Sequence, residues 1–160
     1  MNRRPIKPDA ALVRLETLCA RSEQCSSDLR KKLLTWGIAP SEAEKILDSL
    51  ADRRFYDDER FARAFTNDKF RFSGWGRRKI RQALILKRIA KSLIDDALEA
   101  IDNEEYAATL RRIIRNRALK YPQPLCYDDK VRLARFAASR GFEPDLFFPI
   151  INDPTLCEED

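Results

Sequence analysis

Residues able to act as acids, bases, nucleophiles or metal ligands are few in this chain, and their spacing is poor. There is no histidine in 160 residues, which excludes Ser-His and Cys-His nucleophile activation and imidazole acid–base chemistry. The four cysteines, Cys19, Cys25, Cys126 and Cys157, show no C-x-x-C spacing, so a zinc site is not expected and the thiols read as reduced. The densest carboxylate cluster is "YDDER", Tyr56 to Arg60. Asp57 is placed to cap a helix, with Asp58 and Glu59 in the first turn, where the helix dipole favours negative charge; a metal or acid–base site is the alternative reading. Gly74 and Gly76 are close together but lack the rest of a Walker or G-x-G-x-x-G phosphate loop. The expectation is a protein that is not an enzyme and carries no cofactor or metal.

Charge is the stronger signal. Residues 69–91 hold nine Lys and Arg and no acid, 92–110 hold six acids and no base, and 111–120 hold five bases and no acid. The net charge of +5 therefore understates two local basic fields. The first block has helical apolar spacing and so belongs to a folded surface, not a disordered tail. On a wheel of 100° per residue, Ile80, Ala83 and Leu84 form an inner stripe, with Arg77, Arg81 and Arg88 within about 40° of one another beside it. Arginine predominates, which suits bidentate contact with phosphate or carboxylate. The candidate partner-binding residues are Arg77, Arg78, Lys79, Arg81, Lys87, Arg88, Arg111, Arg112 and Arg115. Phe72 and Trp75 precede this helix and suit either stacking on a partner or the core.

The elements that must position these residues are helices. Only four glycines, 44% apolar and 36% charged residues, with apolar pairs three or four apart and little alternation, predict an all-α fold. A helix–turn–helix corner at "WGIAPSEAEKILDSL", residues 36–50, recurs 51 residues later, with Leu29, Leu33, Ile38 and Leu47 matched by Ile80, Leu84, Ile89 and Leu98. A third copy lies 53 residues further on, around Gly141, Phe142, Pro144, Phe147, Ile150 and Ile151. The organisation expected is an N-terminal extension 1–9, three-helix units at 10–54, 55–102 and 103–152, and an acidic tail 153–160. The nine helices are expected at 10–22, 26–37, 40–53, 57–72, 76–88, 90–102, 104–120, 126–141 and 144–152, in an elongated, curved monomeric array. No apolar run reaches the roughly 18 residues that span a bilayer, so a cytoplasmic protein is expected.

"FYDDERFARAF", Phe55 to Phe65, followed by "GWGRRKIRQAL", Gly74 to Leu84, resembles the RecX family of RecA regulators, whose second motif is G-x-G-x-R-x-I-R-x-x-L. Weaker similarity covers about residues 10–152, and the sequence differs from the family's common residues at Cys25, Arg77 and Ala83. The resemblance implies three tandem three-helix units lying in the groove of a RecA filament on DNA. It also implies modulation, mainly inhibition, of strand exchange and of repressor self-cleavage in the SOS response. The motif positions it carries over are Asp58, Arg60, Phe61, Ala62, Phe65, Gly76, Arg78, Ile80, Arg81 and Leu84. Of these, Arg78 and Arg81 would touch the partner, while Phe61, Phe65, Ile80 and Leu84 would fix the core. The competing reading is a DNA- or RNA-binding helical module acting without RecA.

Overall fold

The computed structural model describes residues 4–158. Residues 1–3 of the expected N-terminal extension and 159–160 of the expected acidic tail lie outside the described residues. The described residues form nine helices and no strand: α1 (Pro8–Arg21), α2 (Ser26–Thr35), α3 (Pro40–Asp52), α4 (Asp58–Arg71), α5 (Arg77–Leu86), α6 (Lys91–Glu99), α7 (Asn103–Ala118), α8 (Tyr127–Ser139) and α9 (Pro144–Ile151). Pro8, Pro40 and Pro144 stand at the starts of α1, α3 and α9, where the missing N–H is no loss and the fixed φ suits a helix. All nine expected helices are present, but α2, α5, α7 and α8 each end two residues before their expected ends at 37, 88, 120 and 141, and α6 ends three before 102.

The shortening of α5 comes from a corner that repeats along the chain. The N–H of Ile38 donates to Leu33 O at 3.0 Å, that of Ile89 to Leu84 O at 3.2 Å, and that of Phe142 to Ala137 O at 3.1 Å. Each bond spans five residues and closes the last turn of its helix, with the preceding residue left-handed. Those preceding residues are Gly37 at φ 83°, Arg88 at φ 57° and Gly141 at φ 93°. A fourth corner, Phe55 to Leu50 O at 2.9 Å, places Arg54 at φ 57°. Arg88 therefore lies beyond the end of α5, and the helical wheel that set it beside Arg77 and Arg81 does not apply to it. At the start of α7, Asp102 caps the helix by accepting from the Glu105 N–H at 2.8 Å, which separates it from α6.

The repeat expected from spacing is visible in burial. Leu33, Leu84 and Ala137 are fully buried, as are Leu29, Ile80 and Leu133, and Leu47, Leu98 and Ile151 are nearly so. Contacts among the described residues gather into two compact units: residues 4–65 with 84–94, and residues 66–83 with 95–158. In the first, α1 and α2 pack on α3, burying Leu15, Leu29, Leu33, Leu47 and Leu50 with Trp36 and Phe55 alongside. In the second, α7, α8 and α9 pack on one another around Leu110, Ile114, Leu133 and Phe147. Tyr106 sits between Phe70 and Phe142, with ring centroids 5.7 and 5.3 Å away. Residues 153–158 of the expected acidic tail are also fixed, because Leu156 is buried and the Asp153 carboxylate accepts from the Thr155 N–H and hydroxyl.

Candidate functional site

The acidic-aromatic motif is scaffold. Asp57 caps α4 as expected, accepting from the Arg60 N–H at 3.1 Å. Asp58 reaches instead to the start of α2, accepting from the Ser26 N–H at 2.8 Å and its hydroxyl at 2.7 Å. It thereby supplies the cap that Cys25, at the N-cap position of α2, does not. Arg60 donates to both oxygens of Glu23 at 2.8 Å and to the carbonyls of Arg54 and Phe55, holding the loop that follows α3. Phe61 and Ala62 are buried, and Phe61 stacks on Phe65 with centroids 5.7 Å apart. No group of three or more Cys, Asp or Glu suited to a metal ion exists among the described residues. Burial raises the pKa of the Cys19 and Cys25 thiols, which disfavours the thiolate needed for nucleophilic chemistry.

The basic motif shows why glycine is needed at position 76. The Gly76 N–H donates to Arg140 O at 2.7 Å and the Arg78 N–H to Gly141 O at 3.0 Å, while the Arg77 N–H donates to the Tyr106 hydroxyl at 3.0 Å. A Cβ on Gly76 would collide with the Gly141 carbonyl. The first-turn donors of α5, which elsewhere form anion sites at helix starts, are thus satisfied from within the protein. Ile80 and Leu84 are fully buried beyond them.

The candidate cations are divided between the two units, Lys87 and Arg88 in the first and the rest in the second. Many face partners supplied by other helices. The Arg77 guanidinium donates to Leu98 O, Ile101 O and Asn103 Oδ1 at 3.3, 3.0 and 3.0 Å and lies 4.1 Å from the Tyr106 ring centroid. It closes the end of α6. The same tyrosine donates to Glu143 at 2.6 Å; burial, followed by this bond to a carboxylate, pushes its pKa well above the ordinary value. Arg81 pairs with Asp95 at 2.7 Å, Lys87 with Asp28 at 2.7 Å and Arg111 with Asp153 at 2.9 Å. Arg115 donates to Glu158 O, and the Lys79 ammonium sits 4.5 Å from the Trp75 ring centroid. Burial pushes the Asp28 carboxyl up, but hydrogen bonds from Lys87 and Cys25, with the positive charges of Lys87 and Lys32, together hold it below its ordinary value.

Three candidates remain without a side-chain hydrogen bond, ion pair or ring contact among the described residues: Arg78, Arg88 and Arg112, all exposed. The nine cations that look unopposed along the sequence are therefore partly neutralised in space. Their acidic partners Asp28, Asp95 and Glu105, the last 3.5 Å from Arg71, lie outside the basic block, where counting by segment could not reveal them. Two apolar residues were also missed. Leu86, 84% exposed, and Ile85, 56% exposed, fall off the Ile80–Leu84 stripe, and that phase mismatch is a legible signal of an outward-facing apolar side chain.

Comparison with known proteins matches residues 57–98 to the family described as RecX, second three-helix domain. The chain is 31% identical to regulatory protein RecX of Xanthomonas axonopodis pv. citri over 140 residues, covering 88% of this chain and 85% of the relative. It is 27% identical to regulatory protein RecX of Clostridium botulinum and spans 63% of that relative's length. The crystal structure of RecX from Lactobacillus salivarius superposes with a TM-score of 0.82 at 17% identity, covering 93% of this chain and 97% of that one, and so shares its fold.

Proposed function

The chain belongs to the RecX family of regulatory proteins, and on that premise we propose that it binds the RecA filament on DNA and mainly inhibits its recombinase and coprotease activities. It does so as a cytoplasmic monomer with no catalytic activity of its own, and its contact with naked DNA is weak. Among the described residues no helix is long and apolar enough to cross a membrane, in keeping with a filament-bound regulator. The observation that carries the reading is the presentation of Arg78. It is exposed, has no side-chain partner among the described residues, and sits on a helix start clamped by backbone hydrogen bonds to Arg140 and Gly141. Its backbone is fixed before binding, so only the side chain is left to order at the contact.

The test compares affinity for single-stranded DNA with affinity for the same DNA coated with RecA, at one near-physiological salt concentration. The regulator reading expects much tighter binding to the coated DNA; equal affinity overturns it. Arg78→Glu should weaken binding to the filament and leave melting unchanged, because it removes an unpaired exposed charge. Arg81→Glu is a poorer probe, since the new carboxylate would face Asp95.

A second reading, a nucleic-acid-binding module acting without RecA, is favoured by Phe72, which is 83% exposed at the end of α4 directly after Arg71. An aromatic face beside cations suits base stacking on a single strand. It predicts strong binding to naked DNA that falls by approximately one logarithmic unit per log unit of salt for each phosphate contact.

A further inference from the structure

The first unit contains a cleft between α2 and the end of α5, lined by Asp28, Arg30, Lys31, Leu34, Leu86 and Arg88 among others. Its charges sort into two groups. Asp28 is neutralised by Lys87 at 2.7 Å, and Arg30 by Glu44 at 2.7 Å. Lys31 and Arg88 are exposed and have no ion pair among the described residues, so the cleft carries two uncompensated positive charges. The same cleft is lined by Leu34, 46% exposed, and Leu86, 84% exposed, neither of which contributes to the core.

We propose that this cleft binds an acidic protein segment carrying a large apolar side chain, which packs on Leu34 and Leu86 while its carboxylates meet Lys31 and Arg88. The proposal rests on the filament-regulator reading and deepens it: this contact is made with the protein of the filament and not with its DNA. A phosphate backbone would answer the two cations but leave both leucines against a charged, hydrated surface. An acidic segment with an apolar anchor satisfies both features, and interface cores are depleted in charge while charged rims set orientation and association rate. The cleft also lacks an exposed aromatic side chain on which a base could stack.

The experiment uses the full chain, the double variant Leu34→Ser/Leu86→Ser and the single variant Lys31→Glu. Affinity of each is measured for single-stranded DNA and for RecA-coated single-stranded DNA, with melting temperature and sedimentation recorded in parallel. Both variants are expected to melt within a few degrees of the parent, to bind coated DNA about tenfold more weakly or worse, and to bind naked DNA as the parent does. If the parent prefers coated DNA and the variants do so equally, the cleft proposal is overturned while the regulator reading stands. If the parent shows no preference for coated DNA, the regulator reading falls, and the proposal with it. An equal loss on naked and coated DNA assigns the cleft to nucleic acid and overturns the proposal. So does a parent that self-associates through the cleft and is made monomeric by the double variant.

Discussion

Arg88→Gly should raise stability and lower affinity at once, and both effects follow from where the residue sits. Arg88 is left-handed at φ 57°, at a corner where the equivalent residues Gly37 and Gly141 are glycine. Holding a side-chain-bearing residue in that region costs about 1–2 kcal/mol, and glycine removes the penalty while giving back roughly 0.5–1 kcal/mol through the greater freedom of the unfolded chain. Nothing in the core is lost, because the Arg88 side chain is exposed and has no ion pair among the described residues. The balance is a gain of about 0.5–1 kcal/mol, which for a chain of this size is a rise in melting temperature of roughly 1–4 °C. Thermal unfolding followed by circular dichroism reads the first effect, and titration against RecA-coated DNA reads the second. Gln82→Gly is the control of opposite sign: Gln82 has no part in the corner and is exposed in the interior of α5, and glycine inside a helix costs about 1 kcal/mol. If Arg88→Gly lowers the melting temperature as Gln82→Gly does, position 88 is not a strained corner, and the explanation for the early end of α5 fails.

Leu84→Ala, at a fully buried position, should cost about 2–5 kcal/mol by chemical denaturation and abolish filament regulation only through loss of structure. Arg77→Ala should destabilise by about 2–3 kcal/mol, because it uncaps the end of α6 and removes the stack on Tyr106; a variant that melts like the parent would return Arg77 to the list of partner contacts. The Asp153 carboxyl is lowered to about 2, first by the hydrogen bond from the Thr155 N–H and then by the Thr155 hydroxyl and Arg111. Since its folded value lies below the ordinary 3.8, the stability it contributes is present above pH 4 or so and is lost as the pH falls through about 2. A carboxyl resonance for Asp153 titrating near 4 would show that residues 153–158 are not held as described.

The helical repeat was legible because each copy preserves the same chemical demand: a left-handed corner followed by a large apolar residue. Ile38, Ile89 and Phe142 are all buried at the spacing read from the sequence. The helix ends were less exact: α2, α5 and α8 each stop two residues before Gly37, Arg88 and Gly141, because the left-handed residue of the corner lies beyond the last helical residue. The candidate surface was less legible. Asp28 lies 59 residues from Lys87 and Asp153 lies 42 from Arg111, so whether a cation is paired depends on tertiary contacts that neither composition nor a helical wheel contains. Arg77 is the clearest example, placed by its wheel angle on an outer strip and found closing α6. Leu86 shows the converse, because its departure from the core stripe was present in the sequence from the outset.

The backbone clamp at Gly76 also bears on the order in which the protein can be completed. The N–H groups of Gly76, Arg77 and Arg78 find their acceptors on Arg140, Tyr106 and Gly141, residues synthesised well after α5. Chains emerge from the ribosome N-terminus first, so α5 leaves with its first turn unpaired except by water and stays so until the corner between α8 and α9 has formed. Contacts so far apart along the chain also carry a loop-closure entropy that must be met before they form. The arginine-bearing start of α5 thus cannot take its final hydrogen bonds before residues 140 and 141 have been made. A nascent chain would show its charge early and its geometry late, so a partner that reads geometry would engage only the finished protein.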